Sequence, residues 1–222
     1  MNIKQFIFDN SPINKCGQRC PIILEAGTAH GFDTVEFAKT YPDGVIYGIE
    51  PITAMYDHTY MLTKSFNNVK LFKKALSDKN GSAEMYVSYY YGSPTGSSSI
   101  LEPKDHVHLH PEITFNNKEI VETITLDDFV EEQNISHIDF MWLDLQGYEP
   151  IVLNKSIKTL KKSRYLHCEV TMIEYYKDNI KYPEFKKFLN DNNFEVLDES
   201  EIFTPNGIKK AGNVLFKNKS YN

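Results

Sequence analysis

The stretch Ile22-Ile23-Leu24-Glu25-Ala26-Gly27-Thr28-Ala29-His30-Gly31-Phe32-Asp33-Thr34 constrains this chain more than any other. A short apolar run meets two glycines four apart and then a helix-like pattern. That order reads as a buried strand, a tight turn and a helix N-terminus. In an open α/β sheet, ligands sit at the carboxyl ends of such strands. Glycine lets the backbone turn tightly and approach a ligand closely.

The segments that follow keep the same rhythm. Ile22–Glu25 is predicted as a strand, with a helix to about Thr40 that closes at Tyr41-Pro42-Asp43-Gly44. Val45–Ile49 and Val69–Lys73 are predicted strands, separated by a helix over about 52–65. Strands alternating with helices at this spacing imply a parallel sheet with right-handed crossovers. The pattern resumes with a helix from Thr125, capped in the capping-box manner with Asp128 three residues on. A strand over Ile138–Leu143, a helix over 151–162, a strand over Tyr165–Val170 and a helix over Tyr182–Asn192 come next. Phe194–Leu197 and Asn213–Phe216, on either side of the turn Pro205-Asn206-Gly207, suit an antiparallel pair at a sheet edge.

Two parts break the rhythm. Residues 1–20 are a lead-in with Pro12 and Gly17 as breakers, and residues 80–124 are an insertion with a hairpin-like element. The insertion holds the loop Tyr89-Tyr90-Tyr91-Gly92-Ser93-Pro94-Thr95-Gly96-Ser97-Ser98-Ser99. It also holds His106, His108 and His110, which would share a face if their segment is extended. Long loops on a rigid scaffold often carry function. With no repeat and no dividing linker, residues 1–222 are expected to form a single domain.

Composition narrows the partners. The 222 residues carry 24 basic and 30 acidic side chains, a formal net charge of -6. No basic run marks a nucleic-acid surface, so a nucleic-acid substrate is disfavoured. No apolar run approaches the ~20 residues of a membrane span, and the first residues lack a signal-peptide core. Three cysteines, Cys16, Cys20 and Cys168, make no disulfide framework and point to a reducing, cytoplasmic setting. No set of residues at metal-ligand spacing is evident, and a role for a divalent ion is left open.

The acids at the strand ends identify the ligand chemistry. A nicotinamide pyrophosphate would want G-x-G-x-x-G at the first turn, and this chain has Gly27-x-x-x-Gly31. Glu25 would repel a pyrophosphate but suits a ligand bearing an ammonium group. Glu50, after the second strand, is placed to accept hydrogen bonds from a ribose diol. An ammonium, a ribose and no phosphate describe S-adenosylmethionine. Asp144 ends a strand expected beside the first one, across the switch in strand order, where it would face the reacting atoms. There it would accept or orient an acceptor proton, with Gln146 and Glu149 close by. Glu169, ending the next strand, is a further candidate in the cleft, while His167 and Cys168 are expected to pack in the sheet. A nicotinamide-dependent oxidoreductase and a non-catalytic cofactor-binding module are the alternatives.

Six segments together, ILEAGTAHGFDT, YGIEP, KALSD, GSSSI, TLDDF and DFMWLDLQGYEPIVL, resemble the FkbM-type methyltransferases over about residues 20–216. The resemblance implies a Rossmann-like class I methyltransferase fold of the α/β class. It has a mostly parallel sheet, an antiparallel edge strand and an inserted hairpin-like segment. It further implies an S-adenosylmethionine-dependent O-methyltransferase acting on a hydroxyl of a sugar, glycan or other small molecule. On this chain the implied cofactor residues are Glu25, Gly27, Thr28, Gly31, Thr34, Glu50, Pro51, Ala75, Leu76 and Asp144. Asp144 is the implied catalytic group. Ser97, Ser98, Ser99, Gln146, Glu149 and Glu169 are the implied acceptor side. The chain departs from the family pattern at His30 and at Gln146, which stands where the family usually has Glu.

Overall fold

In the computed structural model, which describes residues 1–200 and 211–221, the apolar run after Pro21 is a central strand. This β1 (Ile22–Ala26) has β2 (Val45–Ile49) on one side and β8 (Ile138–Leu143) on the other, both parallel to it. Both of its faces are covered, so it reads as a continuous buried run rather than an alternating one. Helix α2 (Phe32–Thr40) links β1 to β2, and α3 (Thr53–Thr63) links β2 to β3 (Val69–Phe72). Beyond β8 come α6 (Glu149–Asn154), α7 (Ile157–Lys162) and β9 (Ser163–Thr171). Helix α8 (Tyr182–Asp191) leads to β10 (Phe194–Ser200), and β11 (Ala211–Asn218) inserts antiparallel between β10 and β9. The seven-stranded order is β10-β11-β9-β8-β1-β2-β3. Chain direction across the sheet reverses between β1 and β8, which opens a crevice at their carboxyl ends. The expected turn Pro205-Asn206-Gly207 lies outside the described residues.

A second sheet rises from residues 75–125. Its order is β4-β7-β5-β6, from β4 (Ala75–Ser77), β5 (Gly81–Tyr90), β6 (Ser93–Pro94) and β7 (Ile113–Thr125). The hairpin-like element expected over 80–124 is the long antiparallel pair of β5 and β7, shifted in register between Val87 and Tyr89. This sheet begins earlier than expected, because β4 pairs in parallel with the end of β7. Leu76 and Ile124 of that pair join the core of the main sheet. Helix α5 (Leu126–Glu132) follows, and Thr125 caps it as expected, its Oγ1 accepting from Asp128 N at 3.1 Å.

Three local readings change. The lead-in contains a helix, α1 (Ile3–Asn10), whose Ile7 is buried and whose Phe6 meets Tyr165 edge-on at 5.0 Å. The helix expected over 151–162 is two short helices, α6 and α7, with a break around Lys155 and Ser156. Ser156 is wholly buried there and donates its hydroxyl to Val152 O at 2.8 Å. The His106–His110 segment is a turn of helix, α4 (His106–Leu109), rather than an extended face. His106 and His110 therefore sit together, ring centroids 5.0 Å apart, and His108 points elsewhere and is exposed.

Glu25 holds β1 to α2. It is 2% exposed, and its Oε2 accepts from Thr34 Oγ1 at 2.7 Å. Burial pushes its carboxyl up to about 8 from an ordinary value of 4.5. The folded chain therefore holds a proton that the unfolded chain has released, and stability falls as pH rises across that window. Urea midpoints measured between about pH 5 and about pH 8 should decline in the native protein. Glu25→Gln, which keeps a partner for Thr34, should flatten that decline. An equally steep decline in the variant would refute this reading of Glu25.

Candidate active site

The turn after β1 is drawn tight by contacts on both sides. Gly27 N donates to Ile49 O at 2.9 Å, and Asp144 N donates to Ala26 O at 2.9 Å. Gly27 has φ +82°, and a Cβ added there would lie 1.9 Å from the carbonyl oxygen of Asp144. Only glycine allows this approach of two backbones. Ala29 N then donates to Glu50 Oε2 at 2.8 Å, and Ile52 N donates to Glu50 Oε1 at 2.9 Å. Both Glu50 oxygens keep acceptor capacity after these bonds. Burial raises this carboxyl to about 7.

A cavity with about 560 Å³ of open space lies against this turn. Six of the sequence-predicted cofactor residues line it: Gly27, Glu50, Pro51, Ala75, Leu76 and Asp144. Ile49, Met85 and Ile100 supply apolar wall that the sequence reading did not name. The backbone turn, the Glu50 carboxylate and these apolar walls fit the amino-acid, ribose and adenine parts of S-adenosylmethionine. Four predicted cofactor residues do not line the cavity. Glu25 and Thr34 bond each other between β1 and α2. Gly31 faces α3, where a Cβ would come within 2.7 Å of Thr59. Thr28 is buried beneath the turn, and its hydroxyl has no hydrogen-bond partner among the described residues.

A second cavity opens on the other side of the β8 end, with about 940 Å³ of space when its open mouth is included. Gln146, Gly147, Glu149 and Glu169 line it, together with Ser97, His106, His110, Glu112, Tyr175 and Tyr176. The residues after β8 thus divide between the two spaces: Asp144 and Leu145 face the first, Gln146 and Gly147 the second. Gln146 joins the acids across this divide. Its Nε2 donates to Asp144 Oδ1 at 2.6 Å and to Glu169 Oε2 at 3.0 Å. Glu149 Oε1 accepts from Leu145 N at 2.6 Å. Burial, and then the neighbouring Asp144 charge, push Glu149 and Glu169 each to about 8. Burial raises Asp144 as well. A proton is therefore held among these acids at neutral pH.

The three serines divide their roles. Ser97 lines the second cavity and Ser98 the first. Ser98 Oγ also accepts from Ser88 N at 3.0 Å. Ser99 lines neither cavity; it is fully buried and donates to Gln146 O at 2.9 Å, pinning the turn after β8. His167 and Cys168 are buried in β9, as expected. Among the described residues no group of three or more His, Cys, Asp or Glu side chains is arranged to hold a metal ion. No helix among them is long and apolar enough to cross a membrane. Tyr175 and Tyr176 were missed from sequence. Two adjacent tyrosines a few residues after the strand that carries Glu169 were their only signal.

Comparison with known proteins agrees with this geometry. Residues 25–196 match the family described as the methyltransferase FkbM domain. The 2-O-methyltransferase NoeI of Sinorhizobium fredii (strain NBRC 101917 / NGR234) is 28% identical over 201 residues, spanning 89% of this chain and 79% of that protein. Among solved structures, a fibrillarin pre-rRNA processing protein of Methanococcus jannaschii matches with TM-score 0.52 and 15% identity, over 91% of this chain and 68% of that one. A putative rRNA-methylase of Clostridium thermocellum matches with TM-score 0.52 and 11% identity, over 96% of this chain and 93% of that one. Aeropyrum pernix fibrillarin, solved with S-adenosyl-L-methionine bound, matches with TM-score 0.51 and 13% identity, over 96% and 74%. These structural likenesses are likenesses of fold, the Rossmann-like class I methyltransferase fold. With the family match covering most of its length, the chain belongs to the FkbM methyltransferase family, whose methyl donor is S-adenosylmethionine.

Proposed function

We propose that this protein methylates a hydroxyl oxygen of a sugar, glycan or other small molecule, and that residues 1–222 work as a single methyltransferase domain. The observation that carries this reading is the divided strand end, with Asp144 in one cavity and Gln146 and Gly147 in the other. A donor in the first space and an acceptor in the second would meet there. The name of the relative, a 2-O-methyltransferase, supports oxygen as the acceptor atom. The second cavity is lined by Glu112, Glu149 and Glu169 and by no lysine or arginine among the described residues, which favours a neutral polyhydroxyl compound over a phosphate-rich nucleic acid. Nothing now favours the nicotinamide alternative, since the family is one of methyltransferases and the turn lacks the third glycine.

In this reading Gly27 and Ala29 admit the donor against bare backbone, Glu50 receives its ribose hydroxyls, and Ala75 and Leu76 border its adenine. S-adenosylmethionine, when bound, supplies an electrophilic methyl group on a sulfonium. The chain's own residues would hold the acceptor oxygen in line with that group, which lowers the entropic part of the barrier. Asp144 orients the acceptor hydroxyl. An aliphatic alcohol is too weak an acid to be ionised beforehand by a carboxylate. The proton therefore leaves during attack, to a carboxylate of Asp144 or Glu169 whose raised affinity makes it a better base near neutral pH.

The direct test is incubation with methyl-labelled S-adenosylmethionine and a panel of neutral sugars, glycans and small alcohols. Label should appear in an O-methyl ether. S-adenosylhomocysteine binding without label transfer to any member would favour a non-catalytic binding module instead. Asp144→Asn should lower kcat by about 100-fold, with S-adenosylhomocysteine affinity retained in calorimetry; unchanged turnover would remove Asp144 from the mechanism. Because the base must be ionised, kcat/KM should rise with pH toward about 8 in the native enzyme. Glu169→Gln should abolish or displace that limb, and a pH profile identical to wild type would exclude Glu169 as the base.

A further inference from the structure

The hydroxyl of Tyr176 lies 2.7 Å from Ser97 O and 2.9 Å from Gln146 Oε1. Tyr176 is 3% exposed, and its ring packs on Gly147, where an added Cβ would lie 3.4 Å from Tyr176 Cδ2. Burial keeps this phenol protonated far above neutral pH, so it remains a donor. Gln146 sits at φ +53°, an unfavourable backbone for a non-glycine residue. It is held there by Ser99 Oγ on its carbonyl. The side-chain amide then has every direction assigned. Its carbonyl faces the phenol, and its nitrogen faces Asp144 and Glu169.

We propose that Tyr176 is a positioning residue for methyl transfer. Its single proton is shared between Ser97 O and Gln146 Oε1, and its hold on Oε1 helps fix the amide so that Nε2 bridges the donor-side carboxylate of Asp144 and the acceptor-side carboxylate of Glu169. A flipped amide would turn a carbonyl oxygen toward both acids and push them apart. The phenol's proton on one side and the two acids on the other together distinguish the two ends of an amide that are otherwise nearly equal in shape. The choice of Gln over Glu at position 146 follows from the same geometry. A carboxylate there would face two others, whereas an amide donates to both.

The proposal rests on the methyl-transfer reading, but half of its test needs no acceptor. In protein labelled with 15N at glutamine side chains, the Gln146 amide signal is assigned by its loss in Gln146→Ala. Tyr176→Phe should shift and broaden that signal, while S-adenosylhomocysteine affinity and the far-UV circular dichroism stay as in wild type. An unmoved signal overturns the proposal even if no acceptor is ever found. In turnover, Tyr176→Phe should lower kcat by roughly tenfold, with the KM for S-adenosylmethionine within about twofold. Adding Tyr176→Phe to Gln146→Ala should cost almost nothing further, because the phenol acts through the amide. Wild-type kcat in Tyr176→Phe, or a full additional loss on the Gln146→Ala background, overturns it. Failure of the wild-type enzyme to methylate any hydroxyl would strike the proposed function and leave the amide signal to decide this point.

Discussion

The ends of β1 and β8 touch backbone to backbone, and the glycine at position 27 permits it. With Ala26 O bonded to Asp144 N and no Cβ between Gly27 and the Asp144 carbonyl, the turn after β1 and Asp144 belong to one rigid junction. Everything the site needs is then fixed by where these two strands lead. The turn after β1 reaches across to Glu50 at the end of β2. The turn after β8 carries Gln146 and Gly147, both with positive φ, around into a second space. A side chain larger than glycine at position 27 would pry open the seam on which both cavities depend.

The second sheet completes the enclosure. β4 begins just beyond β3, its Ala75 and Leu76 line the first cavity, and its pairing with β7 ties the inserted residues to the core. Ser97 and Ser98 are adjacent in sequence yet line different cavities, and Ser99 clasps the turn after β8. The stretch that looked like a loose Gly/Ser/Tyr loop is therefore part of the wall between the two spaces. Four acids, Glu50, Asp144, Glu149 and Glu169, stand within this wall with their proton affinities raised by burial. Such clustering is costly unless each acid keeps hydrogen-bond donors, and Gln146 supplies one to Asp144 and one to Glu169.

Periodicity made the parallel sheet legible in the sequence, because strands covered on both faces appear as apolar runs, and the runs of β1, β2 and β8 lead directly into a glycine or an acid. The pairing of β1 with β8, the capped start of α5 and the antiparallel β10–β11 pair all follow from that pattern. What it does not carry is which way a strand-end side chain turns. Glu25 and Glu50 look equivalent on paper, yet Glu25 lies inside β1 facing α2, and Glu50 lies one residue past β2 at the cavity. Alternate histidines misled for a related reason: period two implies a strand only where the backbone is extended, and Pro103 and Pro111 enclose a helical turn instead. Helix α1 escaped because it buries only Ile7 and sits among breakers. Tyr175 and Tyr176 lie on an irregular segment between β9 and α8, where no period exists to place them.

The central claim is that the cavity at the Gly27 turn is the methyl-donor site, with Glu50 at the ribose. Calorimetric titration of S-adenosylhomocysteine into wild type and into Glu50→Gln tests it most directly. Single-site binding to the wild-type protein is expected, with a loss of about tenfold or more in the variant, which no longer offers a carboxylate to the ribose hydroxyls. Equal affinity for the two proteins, or no binding to wild type, would contradict it.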